Sequence, residues 1–401
     1  MNPKSVGALV ASSVGAQALT ALSAPLLLRF YSPSEFGHYS ICVAIGIVLS
    51  VALAGRLELA LPIPYSKALA SQIYATGQAF IVSASAGALV VISVGAIFHA
   101  WSFQTSLFGL AIGVLTAIIQ MDVSALNREK QFFNTASLRF VQAALIVFIQ
   151  TSLAFTADFP NRLETGNVLA LAVTAILFRR RRTRFGYTSS IRFHKRVVMS
   201  FKRFYLIDIW SALLNSVSNQ MPVLLLGKLY SEDVVGHYSL AHRLLTLPVS
   251  LVGANLAQVF YQEASSLSRS GLLDHKAFVK PMLMLASLGV ITLFPLAIFA
   301  SPLIRVAFGP GWEMSGDVIL IIMPWIFATL VVSPFSGILQ FRGQQPLFLL
   351  SMIILTVLRL AAFVFAYVQW RSWQYSLISF SAISFAFWIY ILFVLMKGKR
   401  K

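Results

Sequence analysis

Six charged side chains lie within long apolar stretches of the sequence, where an uncompensated charge is costly. Three are arginines and three are acids: Arg56, Arg243, Arg359, Glu58, Asp122 and Asp208. A guanidinium group can donate two parallel hydrogen bonds to the oxygens of one phosphate, and this contact strengthens where water is excluded. A carboxyl group in such a place can carry a proton or a sodium ion, because burial favours its neutral form. The six residues therefore predict a cationic, anion-binding cavity and, separately, a carboxyl group that couples to an ion.

Other interpretations of the same charges stay open. Arg56, Asp208 and a seventh charge, Arg139, lie close enough to the ends of their apolar stretches to reach an interface with water. Arg56 and Glu58 are close enough in sequence to neutralise each other. Arg243 and Arg359 could form an ion pair between helices, for example with Asp122. The sequence alone does not decide between these structural roles and a binding role.

The composition indicates which elements position these charges. Of the 401 residues 58% are hydrophobic and only 11% are charged, whereas soluble domains carry about 25% charged residues. Lipid must therefore replace water around much of the surface. The apolar stretches are continuous and about 20 residues long, the length of a membrane-spanning helix. The fold predicted is an all-α polytopic membrane protein.

About twelve transmembrane helices are expected. The spans are 6–28, 38–61, 74–98, 104–126, 134–156, 163–178, 204–227, 235–260, 280–301, 315–339, 346–369 and 374–396. The sixth is the weakest, since it is short and begins with the polar residues Glu164 and Asn167.

The basic residues predict the orientation. With both termini in the cytoplasm, 24 of the 31 Lys and Arg residues fall on the cytoplasmic side, as expected for a multi-pass membrane protein. The largest basic cluster, 179–203, is then a topological anchor that also meets anionic membrane lipid. The formal net charge of +18 is explained in the same way, and nucleic acid is not expected as a partner.

A repeat divides the chain into two halves. Residues 30–40 and 229–239 share six identities at an offset of 199, including Gly-His-Tyr-Ser at 37–40 and 236–239. Each half holds six spans, an even number, so both halves enter the membrane in the same direction, as in transporters with parallel repeats. We expect an N-terminal six-helix lobe at 1–185, a basic cytoplasmic linker at 186–203 and a C-terminal six-helix lobe at 204–401.

No catalytic or nucleotide-binding motif accompanies this architecture. The sequence contains no phosphate-binding Gly-x-x-x-x-Gly-Lys-Ser/Thr loop, no His-Glu-x-x-His and no Gly-x-Ser-x-Gly. The six histidines are scattered, and none has a credible set of metal-binding partners in the sequence. We therefore predict a transporter rather than an enzyme, without a metal or other cofactor.

Several segments resemble one known family. The chain is similar to polysaccharide transporters of the Wzx type, which flip O-antigen precursors and belong to the multidrug/oligosaccharidyl-lipid/polysaccharide exporter superfamily. The matching segments are RFYSPSEFGHY at 29–39, RLELALPIP at 56–64, NREKQF at 127–132, GHYSLAHRLLTLP at 236–248, AQVF at 257–260 and FGPGW at 308–312.

The resemblance implies a flippase of the bacterial cytoplasmic membrane. Its substrate would be an undecaprenyl-diphosphate-linked oligosaccharide, moved to the outer leaflet by alternating access for O-antigen or other surface polysaccharide, with H+ or Na+ as a coupling ion. Polysaccharide polymerase machinery is an expected partner. The family often uses cationic cavity residues, a role that would fall to Arg243, Arg359 and Arg56. The alternatives are a cation-coupled multidrug exporter of the same superfamily and a membrane glycosyltransferase or polymerase.

Overall fold

The computed structural model describes residues 15, 19–20, 23–97, 101–156, 160–183, 186–187, 191–247, 276–336 and 345–397. Within these ranges all regular structure is helical, and no strand occurs. Most of the first predicted span, the second half of the eighth, the end of the tenth and the motif at 257–260 lie outside the described residues. The predicted all-α polytopic fold is confirmed.

Two compact units make up the chain, Met1–Val235 and Gly236–Lys401. The helices of the first unit are α1 (Pro33–Leu53), α2 (Leu57–Ala60), α3 (Lys67–Ile97), α4 (Phe103–Arg128), α5 (Phe132–Ala154), α6 (Arg162–Thr183), α7 (Lys195–Ser200) and α8 (Ile209–Leu229), with a π-helical turn at Phe204–Asp208 before α8. Helix α9 (232–247) begins in this unit and continues into the second. The boundary predicted at 186–203 concerns the sequence repeat and stays a prediction.

The second unit contains the later helices. They are α10 (Lys276–Ile298), α11 (Ala300–Phe308), α12 (Met314–Val332), α13 (Gln345–Trp370) and α14 (Trp373–Met396), with a 3-10 turn at Ser333–Phe335. Helix α14 packs against both α12 and α13, and α10 packs against α12.

Helix α1 starts and ends for local reasons that the sequence contains. At its start, Ser32 and Glu35 form a capping box in which each side chain accepts a hydrogen bond from the backbone N–H of the other residue. At its end, Gly55 and Arg56 adopt positive φ angles of 56° and 58°, which a helix does not tolerate. The single span expected over 38–61 therefore begins five residues earlier and stops at Leu53, so that Arg56 lies in a turn.

Helix α1 is also the centre of the first unit. It packs against α4 and α8, and it approaches α4 through the small residues Gly46, Gly109 and Gly113. A Cβ atom added at Gly46 would lie 2.7 Å from the Ile112 side chain. The absence of side chains at this crossing lets the two backbones come close, as is common between membrane helices.

Eight of the described helices are long and apolar enough to cross a membrane, and they coincide with predicted spans two to five and nine to twelve. Many of their large apolar side chains point outward, including Val91, Phe148, Ile291 and Phe365, each more than 60% exposed. Such a surface suits lipid and not water. The structure thus supports a multi-pass membrane protein.

Candidate functional site

Arg359 lies at the middle of α13, buried inside the second unit with 4% of its surface exposed. Its Nε atom donates a hydrogen bond to the Ser384 hydroxyl at 2.8 Å. The guanidinium carbon lies 4.7 Å from the centre of the Phe380 ring and 5.4 Å from that of Trp325, within the range of cation–π attraction. The cation is therefore held by helices α12 and α14 in an aromatic environment of low dielectric constant.

An aromatic stack extends from this cluster to α9. The ring of His242 lies between Tyr238, at a centroid distance of 5.6 Å, and Trp325, at 6.0 Å. Arg243, the next residue of α9, is partly buried in the same unit. Consecutive helical residues point about 100° apart, so Arg243 occupies the adjoining face of α9.

Arg56 and Glu58 meet in the first unit. The Nη1 atom of Arg56 lies 3.2 Å from Oε1 of Glu58. Two other atoms of the pair, Nε of Arg56 and Oε2 of Glu58, are buried and have no hydrogen-bond partner among the described residues. The mutual neutralisation considered from the sequence is present, but it leaves polar groups available to a further partner.

Asp122 has its own partners inside the first unit. Its Oδ1 atom accepts a hydrogen bond of 2.6 Å from the Tyr74 hydroxyl, which itself accepts one from the Gln78 amide at 3.1 Å. Tyr74 and Asp122 are almost fully buried. This network joins α3 to α4 inside the first unit.

Asp208 ends the π-helical turn before α8. Its carboxylate lies 4.0 Å from Nε of Arg203, and both side chains are more than one-third exposed. The structure thus brings together Arg56 with Glu58, and it places Arg359 and Arg243 in the second unit. Within the first unit, Asp122 is bound by Tyr74, and Asp208 lies near Arg203.

A polar cluster that the sequence analysis did not single out lies where α1, α4 and α6 begin. The Nδ1 atom of His38 lies 2.7 Å from Oε1 of Glu164, and its Nε2 atom lies 2.9 Å from the Thr105 hydroxyl. Glu164 is 2% exposed. The Sγ atom of Cys42 lies nearby and donates to the Thr105 carbonyl at 3.7 Å. The donor atoms of His38, Cys42 and Glu164 are within 4.8 Å of one another, but hydrogen bonds occupy both ring nitrogens.

The same cluster borders a cavity of about 220 Å³. Beyond it, Arg162 pairs with Glu35 at 2.8 Å, and Glu232 also lines the cavity. Asn167 of α6 donates to the Tyr39 hydroxyl at 3.0 Å. The polar start of the sixth span, its apparent weakness in the sequence, is therefore the part of α6 that builds this site.

The repeated Gly-His-Tyr-Ser segment places its histidine in the same kind of contact in each unit. His38 of α1 reaches Thr105 in the first turn of α4. His237 of α9 reaches Ser315 in the first turn of α12, with Nδ1 at 2.9 Å from the hydroxyl oxygen. His237 also packs edge-on against Trp312 at 5.7 Å. The repeat could have drawn attention to His38, but its carboxylate partner is 126 residues away in sequence.

At the opposite end of the first unit a second polar cluster joins three connections. Arg128 donates to the Glu129 carboxylate at 2.7 Å, to the Tyr187 hydroxyl at 3.2 Å and to the Pro64 carbonyl at 2.9 Å. Burial, reinforced by a hydrogen bond to Glu129, raises the pKa of Tyr187 to about 12. The hydroxyl therefore stays protonated and donates to Glu129 at 2.9 Å.

Comparison with solved structures shows the fold. The lipid II flippase MurJ, in an inward closed conformation, superposes with a TM-score of 0.75 and 12% identity over 96% of this chain and 87% of its own. An inward-facing multidrug resistance MATE family transporter of the MOP superfamily gives 0.65 and 13% over 97% and 93%. A MATE transporter from Vibrio cholerae gives 0.55 and 13% over 98% and 93%.

Comparison by sequence shows the family. The pattern of the family described as "Polysaccharide biosynthesis protein" matches residues 26–317, whereas no curated protein matches the chain. The matched region contains five of the six charged residues named from the sequence. Four of them lie in the first unit and one, Arg243, lies in the second. Arg359 lies beyond the matched region. The fold agrees with the resemblance drawn from the motifs, that to the multidrug/oligosaccharidyl-lipid/polysaccharide exporter superfamily. The chain therefore belongs to the polysaccharide biosynthesis protein family and has the fold of MOP-superfamily transporters.

Proposed function

We propose that this protein is a flippase that moves an undecaprenyl-diphosphate-linked oligosaccharide from the inner to the outer leaflet of the bacterial cytoplasmic membrane. The observation that carries the proposal is the match of most of the chain to a polysaccharide biosynthesis family on a fold shared with a lipid II flippase. The product would serve O-antigen or other surface polysaccharide synthesis, together with polymerase machinery. Both termini would face the cytoplasm.

In this proposal the guanidinium groups of Arg359, Arg56 and Arg243 bind the diphosphate. Arg359 is fixed by Ser384 and two aromatic rings, so little side-chain entropy is lost when it binds an anion. Arg56 has a buried Nε atom without a hydrogen-bond partner in the described part of the chain, which a phosphate oxygen would satisfy. Arg243, in the second unit, is the third cation of the proposal.

The carboxyl groups Glu58, Asp122 and Asp208 remain candidates for ion coupling, with H+ or Na+ as the ion. The burial of Glu58 and Asp122 supports a coupling role for them. A buried carboxylate is disfavoured as a bare charge and therefore tends to bind a proton or a cation. Asp208 has less support, because it is more than one-third exposed.

Deletion also separates this proposal from two alternatives. The MATE transporters share the fold, so a cation-coupled multidrug exporter is the first alternative; export of cationic dyes would be lost on deletion if it were correct. A membrane glycosyltransferase or polymerase is the second, and its deletion would leave incomplete or unpolymerised lipid-linked sugar.

Mass spectrometry of membrane lipids from a deletion strain tests the proposal and names the substrate. We expect a complete oligosaccharide repeat on undecaprenyl diphosphate to accumulate, and complementation to remove it. A deletion strain with unchanged lipid-linked sugars and reduced dye export would overturn the proposal.

A further inference from the structure

The His38–Glu164 pair is built so that it can hold one proton more or one proton fewer without losing a hydrogen bond. With a neutral ring, Nδ1–H donates to Glu164 and Nε2 accepts from the Thr105 hydroxyl. With a charged ring, Nε2–H donates to the Thr105 oxygen. The Thr105 hydroxyl then turns to Ser102, whose Oγ atom lies 2.6 Å away. Only hydroxyl rotations separate the two states.

The charges around the pair favour such a proton. The cavity beside it is lined by Glu35, Glu164, Glu232 and Arg162, which together carry two net negative charges when His38 is neutral. Arg162 is engaged with Glu35. Helix α8, which also packs against α1, ends near Lys228, whose amino group lies 5.9 Å from the Trp101 ring. Cys42 supplies no formal charge here.

The cavity gives the pair a route to water. A volume of about 220 Å³ holds several water molecules, each of which occupies about 30 Å³ in the liquid. It lies at the starts of α1 and α6, the end of the unit that the predicted topology assigns to the outer side. Glu232, at the start of α9, lines the same space, and α9 continues into the second unit.

The second half of the repeat contains the same histidine. His237 makes the equivalent contact with a hydroxyl, Ser315, and also packs against the Trp312 ring. A histidine–hydroxyl contact therefore occurs in both halves, and in the first half His38 also contacts the Glu164 carboxylate. His237 provides a matched control within the same chain.

We propose that His38 and Glu164 form the proton-binding site that couples this transporter to a pH gradient, with proton exchange through the cavity at the predicted outer end of the first unit. This rests on the proposed transport function and replaces none of the diphosphate-binding residues. It adds His38 and Glu164 to the coupling candidates and makes the coupling ion H+.

Two measurements test it. The first needs no substrate: ring ¹⁵N spectra of the full chain, with His38 assigned through His38→Gln, should show the ring changing between its Nδ1–H and doubly protonated forms between about pH 5 and 8. His237→Gln and Cys42→Ser should leave that change in place, whereas Glu164→Gln should alter it. A His38 ring that keeps one protonation state across this range would overturn the proposal.

The second measures transport in proteoliposomes with a fluorescent undecaprenyl-diphosphate-linked disaccharide as the probe. At one proton per cycle, a gradient of one pH unit should change the leaflet ratio about tenfold in wild type and in His237→Gln, but not in Glu164→Gln. A Glu164→Gln protein with the wild-type response, or a wild-type ratio that follows a sodium gradient, would contradict the site. A wild-type protein that moves no probe would instead count against the proposed function, and the ring spectra would still decide on proton binding.

Discussion

Arg359 and Ser384 are joined by a 2.8 Å hydrogen bond from Nε to the hydroxyl oxygen, and Ser384 in turn donates to the Phe380 carbonyl of its own helix. Helix α14 thereby fixes the guanidinium of α13 beneath the Phe380 ring. A flexible arginine would lose side-chain entropy on binding an anion, whereas this one is already held in place.

Replacement of Arg359 should separate transport from folding. We expect Arg359→Ala to abolish surface polysaccharide while the protein remains in the membrane, and Arg359→Lys to restore little, because an ammonium group lacks the planar fork. Immunoblots of membranes and of surface polysaccharide provide the measurement. Arg305→Ala is the matched control, since the Arg305 side chain is 71% exposed. Normal polysaccharide at normal Arg359→Ala expression would remove this residue from the proposed site.

Arg243 should behave similarly if it also contacts the diphosphate. Arg243→Ala is expected to lower surface polysaccharide at least tenfold, the effect of losing roughly 1.4 kcal/mol of binding. The same blots measure it. A variant that is stable in the membrane and fully active would leave Arg243 with a structural role only.

The crossing of α1 and α4 predicts opposite effects for two glycine-to-alanine changes. A Cβ at Gly46 would lie 2.7 Å from Ile112 and 3.1 Å from the Gly109 carbonyl, so Gly46→Ala should destabilise the protein by about 1–3 kcal/mol. A Cβ at Gly87, within α3, meets nothing within 4 Å, so Gly87→Ala should stabilise by about 0.5–1 kcal/mol.

Thermal unfolding of both glycine variants in detergent measures this difference. We expect the midpoint to fall for Gly46→Ala and to stay or rise for Gly87→Ala. Equal midpoints for the two variants would contradict the close approach of the helices.

Arg128 should stabilise the packing of three connections that are distant in sequence, because it donates hydrogen bonds to each of them. Its removal takes one donor away from the Glu129 carboxylate, the Tyr187 hydroxyl and the Pro64 carbonyl, and a buried polar group left unsatisfied costs about 1–3 kcal/mol. Limited proteolysis of Arg128→Ala should cleave the chain near residue 187 faster than wild type. Arg192→Ala, at an exposed neighbouring position, should be cleaved at the wild-type rate. Cleavage of Arg128→Ala at that same rate would show that Arg128 does not restrain this segment.

The order of the described apolar helices follows from sequence because it depends on local composition. Continuous apolar stretches predicted the eight described helices that are long and apolar enough to span a membrane. The division into two related halves, drawn from the repeat at 30–40 and 229–239, stays a prediction. The ends were harder to place. The Ser32–Glu35 capping box was readable, but the run of apolar residues from Leu57 to Leu61 concealed the break at Gly55 and Arg56.

The candidate site was only partly predictable, since it depends on how distant helices pack. Burial of Arg359 and the pairing of Arg56 with Glu58 agree with their sequence positions. The sequence does not predict the His38–Glu164 pair, because both residues lie near helix ends, where polar side chains are ordinarily solvated. Only the packing of α1, α4 and α6 makes Glu164 a buried carboxylate.

The central claim is that this protein moves a lipid-linked oligosaccharide between leaflets, and a leaflet assay with purified protein tests it most directly. Proteoliposomes carry the fluorescent undecaprenyl-diphosphate-linked disaccharide, and a membrane-impermeant quencher reports the fraction on the outer surface. We predict that wild-type protein makes the inner pool accessible and that Arg359→Ala does not. An accessible fraction equal to that of protein-free vesicles, at confirmed incorporation of folded protein, would contradict the account.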